Sequence, residues 1–140
     1  MPLARPGVWG EYAVDEKAGD QSALKLFGTH YEWCVQFHPF RSLETNGKTW
    51  RVRARVRIDP RSPEGEAFWA GIYDPVTRRD VAGISVSAKE ANGTYRWFTV
   101  AEHWKPAPDD FIWMGPGRFG KGKPSAISAV YLDCIECTEE

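Results

Sequence analysis

The sequence predicts an all-β domain, an antiparallel β-sandwich of jelly-roll topology. Three observations predict it. Apolar and polar residues alternate with a period of two along the clearest segments, turn-forming residues recur roughly every 8–12 positions, and no segment carries a sustained helical stripe. Eight or so short strands with such turns between them are the pattern of a sandwich or jelly roll.

Taken in order, residues 8–14 are a possible first strand, and residues 23–27 and 32–37 are the next two. Residues 49–58 are the clearest: Trp50, Val52, Ala54, Val56 and Ile58 fall on one face and Arg51, Arg53, Arg55 and Arg57 on the other, as in a half-buried antiparallel strand. Pro60 and Pro63 lie in a segment, residues 59–65, that reads as a loop, because proline removes ladder donors. Residues 67–73 form an apolar strand ended by Asp74 and Pro75, and residues 81–87 alternate loosely. Asn92-Gly93 marks a turn before the β-rich segment 95–100. Residues 112–114 make a short strand, residues 115–124 a glycine-rich loop, and residues 126–137 a long final strand. One domain over residues 1–140 follows, with a structured core at about 9–137, since 140 residues is close to the commonest size of a single domain.

Composition narrows the function. Eighteen basic and 19 acidic residues give a formal net charge of -1, which argues against general nucleic-acid binding, where a basic footprint must displace counterions. No apolar run reaches the roughly 18 residues of a membrane-spanning helix, and residues 1–10 lack the basic start and apolar stretch of a secretory signal. Cys134 and Cys137 form a C-x-x-C, yet on a strand positions i and i+3 point to opposite faces, so the pair reads as ordinary half-buried cysteines. With Cys34 they are too few for a disulfide scaffold. The outlier is aromatic content: 7 Trp, 5 Tyr and 7 Phe, with one to three Trp expected at least partly exposed because this side chain is rarely buried in full.

Several segments, in their order along the chain, resemble a known family. Residues 14–20 (VDEKAGD) and 23–26 (ALKL) are similar to the opening of galactose-binding-like β-sandwich modules, as are residues 28–36 (GTHYEWCVQ). Residues 50–57 (WRVRARVR) and 67–74 (AFWAGIYD) resemble their middle, and residues 129–136 (AVYLDCIE) their closing strand. The resemblance implies a carbohydrate-binding module of the kind appended to glycoside hydrolases and related enzymes. It implies a polysaccharide or oligosaccharide as ligand, a catalytic domain as neighbour, and an extracellular location within a larger protein. Relatives of this kind often hold one structural calcium, bound by early acids and an Asp in the closing strand. Glu11, Asp15 and Asp133 occupy those places, and two carboxylates would only anchor a site that needs six to eight oxygens.

A sugar site requires aromatic faces beside planar polar groups. Six residues are candidates. Trp69 and Tyr73 share a face if Phe68, Ala70 and Ile72 are core, with Arg78 in the following turn. Trp97 shares a face with Tyr95. Trp104, flanked by His103 and Lys105 before a proline, is expected in a loop, and Trp113 faces outward if Ile112 and Met114 are core. For each, packing in the core is the competing expectation. The arginine ladder of residues 51–57 is read as a solvated face paired with acids on adjacent strands; its alternative is an anionic-polysaccharide site.

Nothing in the sequence is a nucleophile elbow, a phosphate loop or an H-x-H metal motif, and His30, His38 and His103 are widely spaced. The expected function is therefore non-catalytic targeting of a polysaccharide. A small jelly-roll enzyme, either a lyase or metal-dependent, and a structural domain packing on a catalytic partner are the alternatives.

Overall fold

The computed structural model describes residues 3, 5–28, 32–39, 46–60, 62–118 and 127–140, without the side chains of residues 60 and 128. Its strands are β1 Gly10–Val14, β2 Ser22–Phe27, β3 Val35–Phe37, β4 Trp50–Pro60, β5 Glu66–Asp74, β6 Arg79–Ser87, β7 Arg96–Trp104, β8 Phe111–Pro116 and β9 Ile127–Glu139. One turn of 3-10 helix, Ala88–Glu90, follows β6 with Ser87 as its cap. The strands form two antiparallel sheets, β1-β2-β9-β4-β7 and β3-β8-β5-β6.

The pairing explains the topology. β5 pairs with β6, β4 with β7, β3 with β8 and β2 with β9. The chain is thus one long hairpin folded about the β5–β6 turn, and both arms step between the sheets as they go. Wrapping that hairpin brings β4 against β9 and β5 against β8, which closes each sheet. This is the expected antiparallel β-sandwich, rolled as a jelly roll.

The alternation seen in residues 50–58 decides which face is buried. Val52, Ala54, Val56 and Ile58 are each at most 3% exposed and meet Phe68, Ala70, Ile72, Ile112 and Met114 of the other sheet. Burying a side chain of the Leu, Ile or Phe class contributes about 1.5–3 kcal/mol relative to exposure, so the inward row of each sheet supplies the main driving force.

The strand bounds differ from the sequence reading where pairing continues past a turn signal. β4 runs on through Asp59 and Pro60, opposite Ala129 and Ile127. β8 takes in Gly115 and Pro116, which pair with Trp69 and Phe68 on β5. The rest of the expected 115–124 loop lies outside the described residues beyond Arg118, as does His30. β3 is shorter than expected, leaving Trp33 just ahead of it.

Trp104 is the largest correction. It is not in a loop; it ends β7, is only 3% exposed, and donates from Nε1 to Asp110 Oδ2 at 3.0 Å. Two register shifts between β4 and β7 are responsible, one of them setting three steps of β7 (Ala101 to Trp104) against two of β4 (Val52 to Trp50). An unmatched residue at a β-bulge switches the facing of everything after it. His103 takes up that switch with φ 53° and stands exposed, while Trp104 turns into the core. Flanking polar residues therefore say little about Trp104 itself.

Cys134 and Cys137 lie across the same strand as expected. Cys134 sits opposite Arg55 and Cys137 opposite Val52, an outward and an inward position, and both are free, as is buried Cys34.

Candidate functional site

Two outer sheet faces carry exposed aromatics, and they differ in kind. On the five-stranded sheet the arginines of β4 point outward and are neutralised. Arg53 meets Glu136 at 2.5 Å, Arg55 meets Asp133, and Arg57 meets Asp15 at 2.7 Å. Their guanidinium groups also cover aromatic rings: Arg53 lies 4.5 Å from the Trp97 centroid, Arg55 4.8 Å from Tyr95, and Arg57 3.8 Å from Tyr131. Trp97, 41% exposed, belongs to this lattice. Charges of both signs interlock here, as expected for a solvated ladder, and three of the four arginines are already spoken for.

Asp15 is the tightest node. Its Oδ2 accepts from Tyr95 Oη at 2.6 Å and from Arg57, while Oδ1 accepts from the Lys17 amide. Burial pushes the Asp15 carboxyl up, but the bonds from Tyr95, Arg57 and Lys17 outweigh it and hold the group at about 2. The same burial, with Asp15 opposite, raises the Tyr95 hydroxyl. Asp133 holds Arg55 and also accepts from the Gly19 amide at 3.2 Å, and Glu11 lies 3.9 Å from Lys25. The three acids placed at the calcium positions thus each face a cationic side chain of the protein. No group of three or more His, Cys, Asp or Glu among the described residues converges as a metal site. This donor arrangement does not fit calcium, which asks for six to eight oxygens around one point.

The outer face of the four-stranded sheet is built differently. Here β5 and β8 exchange large and small residues in register: Trp69 pairs with Gly115, and Gly71 with Trp113. Each indole occupies the space its glycine partner leaves. A Cβ on Gly71 would come 2.6 Å from Cζ2 of Trp113, and one on Gly115 would come 2.7 Å from Nε1 of Trp69. The two indoles meet edge to face, with centroids 4.5 Å apart. One residue further along, Tyr73 pairs with Phe111, with ring centroids 5.5 Å apart. Trp33 joins this group because the Cys34 amide donates to the Met114 carbonyl, which lays the segment before β3 alongside β8.

The outcome is a cleft of about 380 Å³ lined by Trp33, Trp69, Tyr73, Asp80, Phe111 and Trp113. A second depression of about 290 Å³ adjoins it, sharing Trp69, Asp80 and Trp113 and extending over Gly83 and Ser85 to Arg118. Gly83 pairs with Gly71 across β5 and β6, so two facing positions lack side chains and the trough deepens there. Its end is a fixed polar wall. Arg118 stacks 4.3 Å from the Trp69 centroid and donates to Glu66 through Nε at 2.9 Å and a terminal nitrogen at 2.7 Å. Ser85 Oγ also donates to Glu66 at 2.5 Å. Burial raises the Glu66 carboxyl, and the bonds from Arg118 and Ser85 more than offset that, leaving it below the usual carboxylate range.

Of the six candidate residues, the structure brings three together here: Trp69, Tyr73 and Trp113. Ile112 and Met114 are both core, so Trp113 does face outward, yet it is only 7% exposed because neighbouring rings cover it. Trp97 lies on the opposite sheet, Trp104 in the core, and Arg78 in the β5–β6 turn at φ 55°, outside the residues lining the cleft. Sequence reasoning missed Trp33, Phe111, Asp80 and Arg118. Period-two phasing could have placed Phe111 beside Trp113; the other three join the site only through strand pairing.

The fold and this face define a β-sandwich with an aromatic-lined cleft on one sheet, an architecture shared with carbohydrate-binding modules. Among solved structures, CBM27-1 of Caldicellulosiruptor saccharolyticus, in complex with mannohexaose, matches with a TM-score of 0.50 at 13% identity, over 94% of this chain and 86% of that one. Arabinose-bound MgGH51 α-L-arabinofuranosidase matches with a TM-score of 0.57 at 10% identity over 93% of this chain. The chain spans only 22% of that enzyme's length. At such identities the likeness is one of fold. No family model matches the sequence, and no curated protein does.

Proposed function

We propose that the protein is a non-catalytic carbohydrate-binding module whose site is the aromatic cleft on the four-stranded sheet. One observation carries this reading: Trp33, Trp69, Tyr73, Phe111 and Trp113 converge on a single cleft with a carboxylate, Asp80, at its rim. Sugar rings present apolar C–H faces that stack on aromatics, and their hydroxyls donate to carboxylates. At about 380 Å³ the cleft falls within the size range of small-ligand sites, roughly 300–1,000 Å³. The fold shared with CBM27-1 supports the same reading.

The absence of chemistry in this proposal rests on the cleft lining. A glycoside hydrolase works with two carboxylates flanking the scissile bond, and the lining of the main cleft supplies one. The module would act outside the cell within a larger protein, where it raises the local concentration of a catalytic domain on its polysaccharide.

Calorimetry against neutral and acidic polysaccharides tests this. Trp33→Ala and Tyr73→Ala, at partly exposed positions, should each weaken binding about tenfold or more without loss of folding, since base- or sugar-type stacking on one ring is worth on the order of 1–3 kcal/mol. Trp97→Ala, on the opposite sheet, should leave affinity unchanged. Loss of binding in the Trp97 variant alone would move the site to the other face.

A further inference from the structure

We propose that the trough over Gly83 is a subsite selective for an uncharged sugar ring, with Asp80 as the residue that admits hydroxyls and rejects uronates; this rests on the carbohydrate-binding reading above. Charge placement makes the argument. Two acids and one base surround the trough's far end, but they are not equivalent. Glu66 and Arg118 saturate one another: Glu66 accepts the Arg118 amide, its Nε and a terminal nitrogen, and also Ser85 Oγ. Their charges cancel, and the guanidinium face is spent on Trp69. Asp80 is exposed and makes no hydrogen bond or ion pair with any described residue, yet it lines both the cleft and the trough. Arg79, its chain neighbour, sits opposite Asp74 in the register, and neither Arg78 nor Arg79 is among the lining residues.

The one uncommitted charge of the site is therefore negative. A carboxylate accepts hydrogen bonds from sugar hydroxyls and repels a sugar carboxylate or sulfate at the same place. The trough also has the room. A Cβ at Gly83 would meet only the Ala70 carbonyl oxygen, at 3.7 Å, so the space above it is open. Beside it Gly71 is closed by Trp113, which fixes one aromatic wall.

This assigns a sign to the specificity that the arginine-rich sequence does not suggest. The ladder of residues 51–57 would point to an anionic glycan, but it lies on the other sheet and three of its members are paired.

The test uses the whole chain and calorimetry at low salt with mannohexaose, cellohexaose and xylohexaose, set against oligogalacturonate and oligomannuronate of matched length. Expected is binding to at least one neutral hexasaccharide at least tenfold tighter than to either uronate. Asp80→Asn should weaken the neutral ligand about tenfold, as for loss of a charge-assisted hydrogen bond, and bring the uronates to within about threefold of it. Gly83→Leu, which fills the trough without a backbone clash, should remove binding while the unfolding midpoint is retained. Uronate binding equal to or tighter than neutral binding overturns the selectivity proposal and leaves the carbohydrate reading standing. So does an Asp80→Asn variant with unchanged preference. A folded protein that binds none of the five ligands overturns both.

Discussion

Trp113 on β8 stands over the backbone of Gly71 on β5, its Cζ2 only 2.6 Å from where a Cβ would be, and the Ala82 carbonyl oxygen lies 2.4 Å from the same point. Gly71→Ala must therefore displace both an indole and a neighbouring strand. Overpacking of this kind costs about 1–3 kcal/mol. Gly83→Ala, directly opposite Gly71 in the register, meets ordinary contact only and should change stability by less than about 0.5 kcal/mol. Urea unfolding of the two variants checks this; equal midpoints would mean that the indole is not wedged over Gly71.

Asp15 predicts an acid limb to the stability curve. Its folded carboxyl is held at about 2, below the ordinary 3.8. A depressed acid contributes stability that is fully present above the unfolded value and is lost as pH falls through the folded one. The protein should thus lose this contribution between about pH 4 and pH 2, and Asp15→Asn should flatten the curve there. At neutral pH the same variant should cost about 1–3 kcal/mol, because it leaves the Arg57 guanidinium, 17% exposed, with no counter-charge at Asp15. Tyr95→Phe should shift the acid limb toward higher pH, because it removes one of the bonds that hold Asp15 down.

The three thiols should react in a fixed order. Burial pushes Cys34 up to about 12 and Cys137 up to about 11, while Cys134, facing outward, is raised for the same reason, with the adjacent Asp133 adding to it. Thiolate is the reactive form. In native protein at pH 8, alkylation followed by mass spectrometry should label Cys134 first, Cys137 slowly and Cys34 only on unfolding. Early labelling of Cys34 would contradict the buried position given to it.

Trp104 is predicted to matter for stability and not for binding. Trp104→Phe removes the Nε1 donor and leaves Asp110, 2% exposed, with the Ala107 amide as its remaining partner at 3.0 Å. A cost of about 1–3 kcal/mol is expected in chemical denaturation, with glycan affinity unchanged in calorimetry. An affinity loss without a stability loss would restore Trp104 to the site.

The arginine ladder, the strict alternation of residues 50–58 and the phasing of Ile112, Trp113 and Met114 were legible along the chain. A strand's facing follows from its own period of two, and burial of the apolar row is a local property of the pattern. That was enough to reach the β-sandwich and to set Trp69, Tyr73 and Trp113 on outward rows. Trp104 shows where local phasing stops: a bulge is a mismatch between two strands, so neither strand alone records it.

By itself, then, the sequence determined the class of fold, the inward rows of the core and the outward direction of the cleft aromatics. Tertiary structure alone decided that Trp97 and Trp113 belong to opposite sheets, that Trp33 and Asp80 join Trp69, and that Arg53, Arg55 and Arg57 are neutralised by Glu136, Asp133 and Asp15. The physical reason is sequence separation. Asp15 meets Arg57 across 42 positions and Arg53 meets Glu136 across 83, and only the wrapped hairpin of a jelly roll brings such distant residues within reach of a hydrogen bond.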